Sequence, residues 1–270
     1  MTQIATFAPG RVNLMGDHTD TTGGLVLPLA IDLGTTVVGT VEGDRVELRS
    51  DAEPEPAIVG LDGSRPPDAP AWAAYVAGVV AEVAPRQGLR GQVTTTLPVG
   101  AGLSSSASLE LALALALGAD PDPRALALLG QRAEQAASGV PCGIMDQLTS
   151  AAGVADHALR IDCHDLGIEP VPLPDGIEVV VVHSGVPRTL AGSAYADRRR
   201  ECEAAEAHIG PLRLARPGDE ASIDDAVLRR RSRHVLTEED GRVINFASVD
   251  EAKAFLRDEL KILAPHVFNY

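Results

Sequence analysis

From residue 107 to residue 117 the chain is almost nothing but alanine and leucine. The alternation of the two has the two-residue period of a strand. The residue types overrule that pattern, because alanine and leucine are among the strongest helix formers and alanine is depleted in strands. A helix that is apolar on every side offers water no face. It must lie at the centre of the fold, with other elements packed around it. The stretch just before it, 100–106, is rich in glycine and serine, and serines at a helix start are expected to cap it.

The elements available to surround this helix are of both kinds. Residues 35–41 and 45–49 carry alternating or β-branched patterns and read as strands, as do residues 92–97, which end at Pro98. Residues 71–84 are apolar at helical spacing, and 124–138 and 145–152 also read as helices. The β-branched run 178–183 reads as a buried strand and the charged segment 193–207 as a polar helix. Residues 51–70, rich in proline, aspartate, glutamate and glycine, read as a loop. This mixture predicts an α+β fold rather than a regular βαβ series. Near residue 243 the composition shifts: Lys253 and Lys261 are the only lysines, and Phe246, Phe255 and Phe268 are three of the four phenylalanines. The shift marks an atypical tail.

Charge and composition narrow the function. The 270 residues include 38 acidic against 23 basic side chains, a formal net charge of -15. Such a surface repels phosphate backbones and argues against a nucleic-acid binder. The apolar runs are far shorter than a membrane span, and the first residues lack the basic-then-apolar pattern of a secretory signal. Cys142, Cys163 and Cys202 fit neither a disulfide framework nor a zinc spacing. A cytoplasmic enzyme or binding domain with unpaired thiols is the expectation.

The segment Pro98-Val-Gly-Ala-Gly-Leu-Ser-Ser-Ser-Ala107 joins an expected strand to the central helix. Gly100 and Gly102 permit positive φ and close backbone approach. The serines set N–H groups and hydroxyls at a helix N-terminus, where the helix dipole favours an anion. No lysine follows, so this is not the P-loop of the common NTPases. The segment resembles the ATP-phosphate loop of the GHMP kinases, the family of galactokinase, homoserine, mevalonate and phosphomevalonate kinases. The resemblance implies that Gly100, Ala101, Gly102, Leu103, Ser104, Ser105 and Ser106 hold the phosphates of ATP, and that the Ser106 hydroxyl reaches Mg2+. A hard cation takes oxygen ligands, and the family's carboxylate on a nearby helix matches Glu134. Taken alone, Glu134 is an ordinary solvated helical glutamate.

Three further segments point within that family to galactokinases. Gly10-Arg-Val-Asn-Leu-Met-Gly-Asp-His-Thr-Asp20, followed by Gly23 and Gly24, resembles their N-terminal signature. The match implies that Asp17, His18, Thr19 and Asp20 bind the sugar, whose hydroxyls such donors and acceptors suit. Val140-Pro-Cys-Gly-Ile-Met-Asp-Gln147 resembles the segment with the catalytic aspartate, here Asp146. Cys142 within it reads as a packed small residue rather than a nucleophile. Residues 188–203 resemble the stretch whose tyrosine hydrogen-bonds the sugar, here Tyr195, and residues 230–235 also look like the family. Phosphoryl transfer depends mainly on positioning and charge stabilisation. The implied roles follow: Asp146 accepts or orients the proton of the anomeric hydroxyl, Arg11 pairs Asp146 and stabilises the γ-phosphoryl charge, and Mg2+ sits on Ser106 and Glu134.

The resemblance runs from about residue 8 to about residue 242. It implies ATP- and Mg2+-dependent conversion of galactose to galactose 1-phosphate. The implied fold is the two-domain GHMP architecture. An N-terminal domain of the ribosomal protein S5 domain 2-like type would span 1–170 and an incomplete C-terminal α/β domain 171–270. Two departures weigh on this. Asp17 stands where most galactokinases have glutamate, and Thr21-Thr22 where Tyr-Asn is usual, which leaves the hexose open. The late glycine-rich motif of the second domain has no match after residue 242. That gap predicts weak or no turnover, and exposed apolar surface that favours self-association. A galactose-sensing relative without catalysis and a GHMP kinase acting on another sugar or alcohol stay open as alternatives.

Overall fold

The structure is a computed structural model. It describes residues 2–16, 19–174, 176, 179–181 and 194–239, with side chains for all of these except 194–196, 238 and 239. In chain order the elements are β1 (Thr2–Asn13), β2 (Leu25–Val26), β3 (Pro28–Val41), β4 (Arg45–Ser50), β5 (Ala57–Gly60), α1 (Ala73–Val83), β6 (Leu89–Thr95), α2 (Ser105–Ala116), α3 (Pro123–Ser138), α4 (Met145–Ala152), β7 (His157–Asp162), β8 (Gly167–Pro172), α5 (Ala194–Ile209) and α6 (Ala226–Glu239).

Five strands form the main sheet in the order β1-β3-β6-β4-β5. The β4–β6 pair is parallel and the other neighbours are antiparallel. Consecutive side chains of a strand point to opposite faces, and β3 shows the consequence: Val37 is 0% exposed and Val38 50%. The inner face carries Val37, Val46, Leu48, Val59, Leu89 and Val93 into one core with α1, α2 and α3. As its composition demands, α2 is the central helix, packed on β1, β3, α1, α3 and α4. A smaller antiparallel sheet, β2-β7-β8, packs its apolar residues with Met145 and Leu148 of α4 in a second core. A third cluster, Cys202, Leu212, Val235 and Leu236, joins α5 to α6.

Helix α3 has the clearest local signals. Its N-cap Asp122 accepts a hydrogen bond from the Ala125 N–H, Pro123 opens the first turn, and Gly139 closes the helix at φ 68°. The α1–α3 contact is tight because Gly78 lacks a side chain; a Cβ there would stand 2.5 Å from the Ala133 carbonyl oxygen.

Two expectations are corrected. The loop assigned to 51–70 contains β5, whose Ala57 and Val59 are buried against β4; four residues between proline-rich flanks suffice because the partner strand supplies the register. The run 178–183 is no buried strand in its described part. Val179, Val180 and Val181 are 40%, 53% and 49% exposed and lie outside any strand, since β-branched residues make a strand only where a partner covers them. The remainder of that run and the tail from 243 lie outside the described residues. No helix among the described residues is long and apolar enough to cross a membrane.

Candidate active site

Arg11 reaches the site through an irregularity in β1. The register of β1 on β3 shifts between Pro9 and Arg11, and such bulges re-aim a side chain. Gly10 sits at the shift, pressed against the glycine-serine loop: a Cβ there would meet the Leu103 carbonyl oxygen and Leu97 Cδ2, each at 2.6 Å. The backbone N–H of Arg11 donates to that same carbonyl at 3.2 Å. The guanidinium is thereby placed beneath the loop. Arg11 is the only buried basic side chain among the described residues.

Its partner is Asp146, in the first turn of α4, where the helix dipole favours a carboxylate. Nε and Nη2 of Arg11 both donate to Asp146 Oδ1, at 2.8 and 2.6 Å, and Nη1 donates to the Gly102 carbonyl at 2.7 Å. Ser104 donates its hydroxyl to Asp146 Oδ2 at 2.6 Å. One side chain therefore ties the start of the chain, the loop and α4 together.

The loop itself alternates in handedness. Gly100, Gly102 and Ser104 have φ of 75°, 80° and 61°. Alternation of this kind turns successive N–H groups to one side and makes a concavity for anions. A non-glycine residue in the left-handed region is uncommon. Ser104 holds that conformation as the N-cap of α2 without capping it, which corrects the expectation that these serines cap the helix. The Ser104 hydroxyl goes to Asp146, that of Ser108 to the Ala8 carbonyl at 2.7 Å, and that of Ser106 to Glu134 Oε1 at 2.8 Å.

Glu134 is buried on α3. Burial first, and then the charge of Asp146, push its carboxyl above the ordinary value, against hydrogen bonds from Ser106 and Gln147. Among the described residues no three histidine, cysteine, aspartate or glutamate side chains come close enough to hold a metal ion. A hydroxyl and one carboxylate oxygen do suit Mg2+, which keeps waters and completes its shell with substrate phosphates. Cys142 places its Sγ 3.9 Å from Glu134 Oε2, and burial with that charge drives the thiol pKa far up. It stays a protonated, packed thiol.

The sugar-side residues divide. Asp20 lies against Gly143, where a Cβ would overlap its carboxylate. Its pKa is raised to about 6 by burial, then by Asp146, while Arg11 pulls it down. Asp20, Asp146 and Arg11 thus share one cluster. Thr19 is fully buried, and its hydroxyl lies 2.9 Å from the Gly16 carbonyl and 2.7 Å from that of Leu25. That side chain holds the loop in shape, with its hydroxyl engaged by the loop's own backbone. Asp17 and His18 lie outside the described residues, as does the side chain of Tyr195, whose backbone belongs to α5. From α5, Arg199 donates to the Pro141 carbonyl, which brings this helix to the segment carrying Asp146.

Sequence reasoning did not single out Glu110 or Gln147. Both are fully buried beside Glu134, and Gln147 donates to Glu134 Oε2 at 2.5 Å. Gln147 is adjacent to Asp146, so only its neighbour marked it. Glu110 had one signal, a lone charge inside an otherwise apolar helix.

The galactokinase galactose-binding signature matches residues 2–41, and the N-terminal domain of GHMP kinases matches residues 73–154. Among solved structures, a galactokinase from Lactococcus lactis complexed with galactose is 30% identical with a TM-score of 0.76; the alignment covers 88% of this chain and 67% of that one. A protein from Listeria innocua, 13% identical at TM-score 0.57, covers 88% of this chain and 80% of its own and shares the fold. A mevalonate kinase, 17% identical at TM-score 0.50 over 89% of this chain and 80% of its own, does the same. With the Arg11–Asp146 pair, the phosphate-type loop and both sequence matches in one molecule, the chain belongs to the galactokinases, sugar kinases of the GHMP family.

Proposed function

We propose that the protein transfers the γ-phosphoryl group of ATP to the anomeric hydroxyl of galactose, with Mg2+ as cofactor. One observation carries this reading: Ser104 and Arg11 hold Asp146 at the mouth of the glycine-serine loop, while two residues along that loop Ser106 meets Glu134. A sugar hydroxyl at Asp146 and a phosphate chain on the loop would then be neighbours.

Asp146 accepts three hydrogen bonds, two at Oδ1 and one at Oδ2. Oδ2 keeps a lone-pair direction for the sugar hydroxyl. The carboxylate orients that hydroxyl and takes its proton as the bond to phosphorus forms. Arg11 stays paired throughout and stabilises the negative charge that spreads over the transferring group. Asp20, with Asp17, His18 and Tyr195, supplies sugar contacts, and the loop 100–106 binds the phosphates. Mg2+, when bound at Ser106 and Glu134, neutralises phosphate charge. In this reading residues 1–170 act as the ATP- and sugar-binding domain, and 171–270 belong to a C-terminal domain that is incomplete, with an atypical tail from about 243.

The test is incubation of the purified chain with D-galactose and ATP·Mg2+, with detection of sugar 1-phosphate and ADP. Product phosphorylated at C1 is expected, and Asp146→Ala should lower kcat at least about 100-fold while ATP binding persists. Galactose binding without any phosphorylated product would instead favour the sensing alternative.

A further inference from the structure

Behind the Ser106–Glu134 pair lies a closed ring of polar contacts. Ser106 of α2 donates to Glu134 Oε1 of α3 at 2.8 Å. The Gln147 amide of α4 donates to Glu134 Oε2 at 2.5 Å and to Glu110 Oε2 at 3.3 Å. Glu110 returns the ring to α2, one turn after Ser106 and on the same face. Glu110 and Gln147 are both 0% exposed, and their remaining oxygens, Oε1 in each case, have no hydrogen-bond partner.

A side-chain amide has two N–H groups in one plane. When one is engaged by Glu110, the direction of the other is set. The other points at Glu134 Oε2, and Glu134 is then left with Oε1 toward Ser106. Room for this arrangement comes from Gly130, one turn before Glu134 on α3. A Cβ there would press on Leu111 Cδ2 at 2.8 Å and on Gln147 Cγ at 3.1 Å, and would reach ordinary contact with Glu110 Oε2 at 3.7 Å. Glycine inside a helix costs about 1 kcal/mol relative to alanine, so its presence at this point of α3 serves the packing of the ring.

We propose that Glu110 is a positioning residue: acting through the Gln147 amide, it fixes the rotation of the Glu134 carboxylate beside the Ser106 hydroxyl and so prepares Glu134 to accept a divalent cation. The inference rests on the phosphotransfer reading only for the identity of what Glu134 meets. Partners behind a metal ligand typically change metal affinity or activity about 10- to 100-fold when removed.

The experiment has a metal-free arm and a binding arm. Crystal structures of the metal-free full-length Glu110→Leu and Gln147→Met chains are expected to show Glu134 rotated off Ser106. In Glu110→Gln, which keeps an oxygen for the amide, Glu134 stays in place. Mn2+ binding in the presence of ADP, followed by electron paramagnetic resonance, should weaken about 10-fold or more in the first two variants and change little in the third. Thermal melts establish that each variant is folded, and Gln147→Met decides the matter if Glu110→Leu does not fold. Glu134 still bonded to Ser106 in the variants lacking the acceptor or the amide overturns the proposal, as does unaltered Mn2+·ADP affinity in those variants. A wild-type chain that binds no Mn2+·ADP overturns the phosphotransfer reading instead, while the crystallographic arm still decides the orientation of Glu134.

Discussion

Asp20 shows how a carboxyl in the candidate site can work against stability. In the folded chain its pKa is about 6, against 3.8 for the free side chain. Between those values the folded state holds the proton that the unfolded state has lost. Its contribution to stability is therefore fully present below the unfolded pKa and is lost as pH rises through the folded one. Above that window the half-buried charge costs on the order of 2 to 3 kcal/mol. Asp20→Asn should accordingly raise the melting temperature at about pH 8 and give little gain at about pH 4, measured by calorimetry at both. The same variant should bind galactose more weakly, since a sugar hydroxyl loses its carboxylate acceptor. A melting temperature that gains equally at both pH values would show that Asp20 ionises normally. At this scale much of the site was legible in the sequence: Arg11, Ser106, Glu134 and Asp146 stand in strings of fixed order. The hydroxyl of Thr19 turns to the Gly16 and Leu25 carbonyls, a direction that a string cannot show. Ser104 was read as a phosphate and capping residue; its bond to Asp146 depends on a positive φ that no pattern announces.

Among the elements, the three helices α1, α2 and α3 were legible because each buries a broad apolar face and α3 carries its own start and stop signals. The short strands were not. β5 spans four residues, and β7 and β8 are joined by a tight turn, so their assignment depends on partners distant in sequence. Two helical glycines separate local preference from packing. At both positions alanine is the better helix former by about 0.8–1.0 kcal/mol. At Gly78 the added carbon would stand 2.5 Å from a backbone oxygen of α3, which cannot move without parting the helices. Gly78→Ala should therefore destabilise by about 2 kcal/mol or more despite the better propensity. At Gly130 the nearest atoms belong to side chains, Leu111 Cδ2 at 2.8 Å and Gln147 Cγ at 3.1 Å. Side chains give way more easily than backbone, so Gly130→Ala should cost less than Gly78→Ala, about 1 kcal/mol in a denaturant titration. Its effect should fall on the site, as weaker Mn2+·ADP binding through a displaced Gln147. A larger loss at Gly130 than at Gly78 would reverse the argument.

In the whole molecule, the pair α5–α6 has its own small core and meets the rest of the chain at polar points. Arg199 donates to the Pro141 carbonyl beside the Asp146 segment. Arg213, which follows α5, donates its Nε–H to the Gly23 carbonyl at 2.9 Å and lies 3.6 Å from Asp162 of β7. Gly23 closes the short 3-10 turn that begins at Asp20. The loop 16–24 is thus held from below by Thr19 and from the side by a residue 190 positions after Gly23. The string 16–24 could not convey this, because the stiffness of the loop belongs to the contact. Arg213→Ala removes a charge-assisted hydrogen bond and a longer ion pair with Asp162 at a partly exposed site, together worth about 1 to 1.5 kcal/mol. The third cluster does not include Arg213, so α5 and α6 should stay folded. The loop should loosen and KM for galactose rise about 5- to 13-fold, the free-energy equivalent of that loss. KM for ATP should not change, because the glycine-serine loop is anchored by Arg11 from β1 and not by Arg213. Steady-state kinetics with each substrate varied in turn checks this. Equal changes in both KM values would mean that the bond supports the fold generally, and an unchanged KM for galactose would mean that Thr19 alone keeps the loop in place.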